Sequence, residues 1–164
     1  MSDSEADRKS GLHLSRQPQY FLLDWARQRC GLGDDLWPRE SEAVGVRDAD
    51  GRVRAVMVLN AFYGDTCTAH IASDHTRVWA SRKILAGLFG YTFIYRRMNR
   101  MQLIVPVSNK RAVILGVKLG FRPEGVVRAH CANHEDGFLM SMLKHECPFI
   151  EDDVMPEELE NDHG

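Results

Sequence analysis

The run NAFYGDTCTAHIASDH, residues 60 to 75, gathers side chains that move protons and make hydrogen bonds. His70 stands out, because an unperturbed imidazole titrates near neutrality and can serve as a base. The plainer reading is a half-buried histidine bonded to a neighbouring loop. His75 follows as the expected cap of a helix, at the positive end of its dipole; otherwise it is a surface loop residue. Tyr63 and Asp65 are further proton donors or acceptors. Asn60 and Phe62 flank them, and Phe62 also reads as a core residue.

A second group, HCANHEDG, raises the question of a metal. His130, Cys131 and His134 lie together, with His145 and Cys147 further on. Zinc sites use these residue types, but the spacing matches no closed set, so no metal is expected. The four cysteines are spread out, without a CxxC pair, and are expected as reduced thiols. No Cys–His–acid arrangement marks Cys67 or Cys131 as a nucleophile.

These residues must be held by a scaffold, and the periodicity outlines one. QYFLLDWARQRC has helical spacing, with Gly31 as a stop. EAVGV and VRAVMVLN flank DADG as a hairpin, the second strand looking buried on both faces toward its end. TCTAHIAS is a further strand. HTRVWASRKILAGLFGYTFIYRR is expected as one long amphipathic helix. MQLIVPV is a strand, Lys110 to Leu119 a helix, and FRPEGVVRAHCA with GFLMSMLKHE a closing strand pair. Antiparallel strands followed by strand–helix–strand crossovers make a mixed α/β sheet. Gly116 sits in the middle of the helix, where glycine costs about 1 kcal/mol relative to alanine.

The stretch SNKRAVILGVKLGFRPEG carries a family likeness. It matches the pattern NxxAxxLYxxxGFxxEG at Asn109, Ala112, Leu115, Gly120, Phe121, Glu124 and Gly125. DGFLMSMLKHE, beginning at Asp136, is similar to the same family's last strand. Over residues 17 to 147 the chain resembles the GCN5-related N-acetyltransferase (GNAT) superfamily. That resemblance implies a mixed sheet of six or seven strands, splayed between the fourth and fifth and flanked by helices. It also implies acetyl-CoA as co-substrate and direct transfer of an acetyl group to an amine. The acceptor would be a small amine, a protein amine or a modified nucleic-acid base. A non-catalytic binding protein on the same fold is the alternative.

The resemblance also distributes roles. The backbone of Ile71, Ala72 and Ser73 would pair with the pantetheine arm, with Asn109 and Arg111 as further contacts. Asn109 could equally be a helix N-terminal residue, with Ser108 as the cap. The cofactor's phosphates would meet the long helix's N-terminus. There the chain departs from the family, because the motif's glycine positions fall on Trp79 and Ser81. Arg77, Arg82 and Lys83 could supply charge instead, or form a solvated helix face. His70, His75 and Tyr63 are the catalytic candidates. Asn60, Phe62, Tyr63 and His130 would face the acceptor. The family's proton-donating tyrosine falls on Gly116, which implies open space beside the cofactor's sulfur.

The totals set outer bounds. A chain of 164 residues with 44% hydrophobic composition suits a single domain at residues 17–150. The polar first 16 residues are expected to be flexible, with no hydrophobic signal region and no apolar run long enough for a membrane. A cytoplasmic protein is expected, and a homodimer by the resemblance. Residues 151–164 hold seven acids and no Lys or Arg, an acidic tail expected to be disordered. The rest of the chain therefore carries a basic excess, a weak pointer to an anionic partner such as nucleic acid.

Overall fold

The computed structural model describes residues 11–76 and 79–151. Arg77 and the acidic tail beyond Glu151 lie outside the described residues. The chain forms strands β1 (His13–Ser15), β2 (Glu42–Arg47), β3 (Val53–Tyr63), β4 (Thr66–Ser73), β5 (Arg100–Pro106), β6 (Arg122–Val127) and β7 (Gly137–Leu143). The helices are α1 (Gln19–Arg29), α2 (Arg82–Gly90) and α3 (Lys110–Leu119). The strands make one sheet in the order β1-β2-β3-β4-β5-β7-β6. Every pairing is antiparallel except β4 with β5.

Alternation along β3 explains the layers. Ala55, Met57 and Leu59 join the core under α2 and α3. Val56 and Val58 point the other way, into a smaller core with Leu22 and Ala26 of α1. A strand with apolar side chains on both faces is a strand covered on both faces. Beyond Gly90, α2 runs on as a π-helical turn at Tyr91–Tyr95, and the Tyr91 hydroxyl donates to Glu42 at 2.7 Å.

Three sequence expectations change. Residues 13–15, placed in a flexible terminus, are strand β1, paired with Arg47, Val46 and Gly45 of β2. Leu14 is buried there, and the Gln19 side chain extends the pairing by bonding both the N–H and C=O of Ala43. Three residues carry too little periodicity to be seen in a sequence. Second, the long helix begins at Arg82 rather than near His75. Asp74 accepts from the Thr76 amide and hydroxyl, and His75 sits at φ +66°, so a local turn wins over helical spacing. Third, Asn109, not Ser108, caps α3, its side chain accepting from the Ala112 amide.

Helix α3 ends on Gly120 at φ +104°, a left-handed cap that alanine adopts poorly. Gly120→Ala is expected to lower stability by about 1–2 kcal/mol in urea denaturation. A neutral result would mean the helix end relaxes to another cap.

Candidate active site

The parallel pairing of β4 and β5 is short. Thr66, Cys67 and Thr68 pair with Arg100, Met101 and Gln102, and there it stops. The last step is fastened by side chains too, Gln102 donating to the Thr68 hydroxyl at 3.1 Å. Beyond it, Ala69–Ser73 keeps β3 on one side, and Leu103–Pro106 keeps β7. The two facing edges diverge, so backbone N–H and C=O groups on each have no strand partner across the gap. An extended ligand bearing amides can bond such an edge as an added strand would.

A cleft of about 690 Å³ opens at this splay. Ile71, Ala72 and Ser73 form one wall, and Asn109, Arg111, Ala112, Ile114, Leu115 and Lys118 the other. His75, Thr76, Trp79 and Ala80 close one end, and Arg29 reaches in from the end of α1. Five of the expected cofactor contacts (Ile71, Ala72, Ser73, Asn109 and Arg111) therefore come together on two walls. Asn109 uses its side-chain oxygen as cap, which leaves its amide nitrogen to donate.

Trp79 is 2% exposed, packed into the core, and also forms part of the cleft's end. Ser81 and Arg82 do not line the cleft. Ser81 caps α2, accepting from the Ile84 amide at 3.3 Å. Arg82 turns to the far side, donating to the Pro148 carbonyl at 3.0 Å and lying over the Phe149 ring.

His70 faces away from Ile71, as neighbours on a strand must. Its ring meets Trp37 edge-on with centroids 4.9 Å apart. Its Nε2 lies 3.2 Å from Asn60 Oδ1, while Asn60 donates to Ser41 at 3.3 Å. An amide oxygen only accepts, so this bond puts the proton on Nε2 and leaves the Nδ1 lone pair as the basic atom. Burial first, and the neighbouring His130 second, push the His70 pKa down to about 4. The ring is neutral at physiological pH. His130 lies on an exposed loop that Glu135 ties to the turn before α3 by accepting from the Ser108 amide.

Other candidates are not brought to this place. Ala61 takes φ +49° and the β3 register shifts between Asn60 and Tyr63. The shift turns Phe62 into the α2 side of the core, under the Arg96 guanidinium at 4.9 Å. Tyr63 is 85% exposed and pairs with Thr66. Thr66 to Ile71 is five strand residues, about 16 Å, so Tyr63 lies at the far end of β4 from the cleft. His75 lines the cleft from a loop, not as a helix cap.

Gly116 does not border the cleft. A Cβ there would lie 3.1 Å from Met140 Cε and 3.2 Å from its sulfur, with Leu103 at 3.8 Å. The open space implied by the missing tyrosine is filled by β5 and β7 side chains. Burial raises the Cys67 thiol to about 12, which removes it as a thiolate nucleophile. Among the described residues no three His, Cys, Asp or Glu side chains converge as metal ligands.

Sequence reading missed Arg29, Ile114, Lys118 and Trp37. Arg111, Leu115 and Lys118 recur at helical spacing, a signal that was present. Arg29 carried none, since only the fold brings the end of α1 to the cleft. The role of Glu124 was also hidden: it takes both guanidinium arms of Arg100 at 2.7 Å and accepts from Ser141, locking β6 across β7 to β5. Those bonds, Arg100 foremost, hold its carboxyl down at about 2.

No family model and no curated sequence matches the chain. Solved structures do. A spermidine N-acetyltransferase from Vibrio cholerae, in complex with CoA and spermine, superposes with TM-score 0.67 at 16% identity, over 83% of this chain and 97% of that one. Spermidine/spermine N-acetyltransferase SpeG from the same organism, in complex with manganese ions, gives 0.66 at 17% identity, over 81% and 92%. The chain has the GNAT fold. The mixed sheet and the β4–β5 splay follow the sequence expectation, with seven strands. Among the described residues no helix of this GNAT-fold chain is long and apolar enough to cross a membrane.

Proposed function

We propose that this protein is an acetyl-CoA-dependent N-acetyltransferase acting on a small amine. The observation that carries this reading is the open cleft between the diverging edges of β4 and β5. Ile71, Ala72 and Ser73 would hold an extended pantetheine arm by backbone hydrogen bonds, and Asn109 would add a side-chain donor. Acetyl-CoA supplies an acetyl thioester, whose acyl carbon is lost to an amine as the thiol leaves. His70, neutral and held by Asn60, accepts a hydrogen bond or proton from that amine. A thiol is a good enough leaving group, with a pKa near 8.5 for free cysteine, that water can protonate the departing sulfur. The missing tyrosine does not therefore preclude turnover.

The face around His70 favours an uncharged acceptor body. Trp37, Asn60, Thr68 and Gln102 are aromatic or neutral, and the nearby Glu124 is taken by Arg100 and Ser141. A polyamine needs carboxylates for its trailing ammonium groups. Calorimetry with acetyl-CoA, then thiol release across an amine panel, tests both points. Binding with release is expected, faster for an aromatic monoamine than for spermidine. Absence of binding and of release across the panel overturns the acyltransferase; preference for spermidine overturns the acceptor class.

A further inference from the structure

The loop before α2, where the family's donor phosphates sit, has no glycine in this chain. Trp79 stands where the family motif has glycine, its side chain buried in the core. Ser81 occupies an amide of the first turn of α2. Arg82 points to Pro148. With Arg82 turned away, a nucleotide donor lying in this cleft would draw on charge from its other walls.

The cleft supplies that charge on other walls. Arg29, Arg111 and Lys118 line it, and no Asp or Glu does. All three are exposed at its rim. Arg27, Arg54, Arg96, Arg100 and Arg122 each face a carboxylate. None of the three cleft cations makes an ion pair among the described residues; Arg29 stacks on Trp25 at 3.6 Å and donates to its carbonyl at 3.2 Å. That contact fixes the guanidinium without cancelling its charge.

The placement of Arg111 is independent support. It follows Lys110 in the first turn of α3, where there is no acidic residue. A helix dipole favours anions at this end and disfavours cations, so two successive cations there are a local cost. An anion held between the helix end and Arg111 reverses it. Arg111, Leu115 and Lys118 share one helical face, so the two cations bracket an apolar step along the same wall.

We propose that Arg29, Arg111 and Lys118 form a side-chain clamp for the phosphates of the donor nucleotide, in place of a glycine loop at α2. This rests on the acetyl-CoA reading above and assigns residues to it. The clamp recognises phosphate, not the acyl group or the pantetheine amides. CoA and its dephosphorylated fragment pantetheine are therefore distinguished by it.

Calorimetric titration of the full chain with CoA and with pantetheine tests the assignment, using wild type, Arg29→Ala, Arg111→Ala, Lys118→Ala and the charge-keeping Arg29→Lys. Each alanine variant is expected to weaken CoA about tenfold. Pantetheine affinity should stay within about twofold, and Arg29→Lys should retain most CoA binding. The CoA affinity of wild type should fall with added salt more steeply than that of the variants. Unchanged CoA affinity in all three alanine variants overturns the clamp while leaving the acyltransferase reading in place. Equal losses for CoA and pantetheine also overturn it, because the residues would then act through the shape of the cleft. Wild type that binds neither ligand overturns clamp and acyltransferase together.

Discussion

Gly116→Tyr is expected to destabilise the protein by about 3 kcal/mol and to bring no gain in turnover. In the sequence the substitution looks like a repair, since the family pattern has tyrosine at this position. The packing says otherwise. Gly116 is buried, and its missing Cβ would already press on Met140 at 3.1 Å. An aromatic ring would have to displace Met140 and Leu103 from between α3 and the sheet. Gly116→Ala separates the two terms. Alanine gains up to about 1 kcal/mol of helix propensity. Against that stands a shift of a few tenths of an ångström by the end of Met140, a flexible side chain. The net change for alanine is expected to lie within about 1 kcal/mol. Urea denaturation measures both variants. Tyrosine at wild-type stability with faster thiol release would show that the ring reaches the cleft, and the close-packing account would fail.

The same position shows how the sequence is read well and badly. Helix α3 was legible in its bounds, Lys110 to Leu119, because apolar spacing and terminal glycine agree. The two-faced burial of β3 was legible in its unbroken apolar run. What failed were features decided by single backbone angles or distant contacts. His75 at φ +66° ended a helix that the spacing supported, and Ala61 at φ +49° rotated Phe62 away from the face of His70. Neither residue type favours a left-handed angle strongly enough to announce it. Gly116 could be seen as unusual, but not as filled, because Met140 arrives from a strand two elements away. For the site, the wall Ile71–Ser73 and Asn109 followed from the family pattern. Arg29 required the fold.

His70→Asn carries the largest expected effect on chemistry. The variant keeps a polar side chain of smaller volume beside Asn60 and removes the basic Nδ1. Turnover should fall by about 100-fold or more if the imidazole takes the amine's proton. CoA affinity should stay unchanged, since His70 does not line the cleft. The pH dependence separates this from a structural role. In wild type the ring titrates at about 4, so its neutral form persists well below the ordinary value of 6.5. An acid limb in kcat assignable to this group should lie near pH 4 rather than 6.5. Stability has a matching sign. Between about pH 4 and 6.5 the unfolded chain binds the proton and the folded chain does not, so stability rises with pH across that window. The contribution is complete above 6.5 and is lost as pH falls to about 4. The shift corresponds to about 3 kcal/mol, and His70→Asn should flatten that part of the profile. A variant with undiminished kcat and a flattened stability profile would make His70 a buried structural residue and move the proton to another group. A variant with unchanged pH dependence of stability would show that the ring is not held neutral by burial, and the expected acid limb near pH 4 would fall with it.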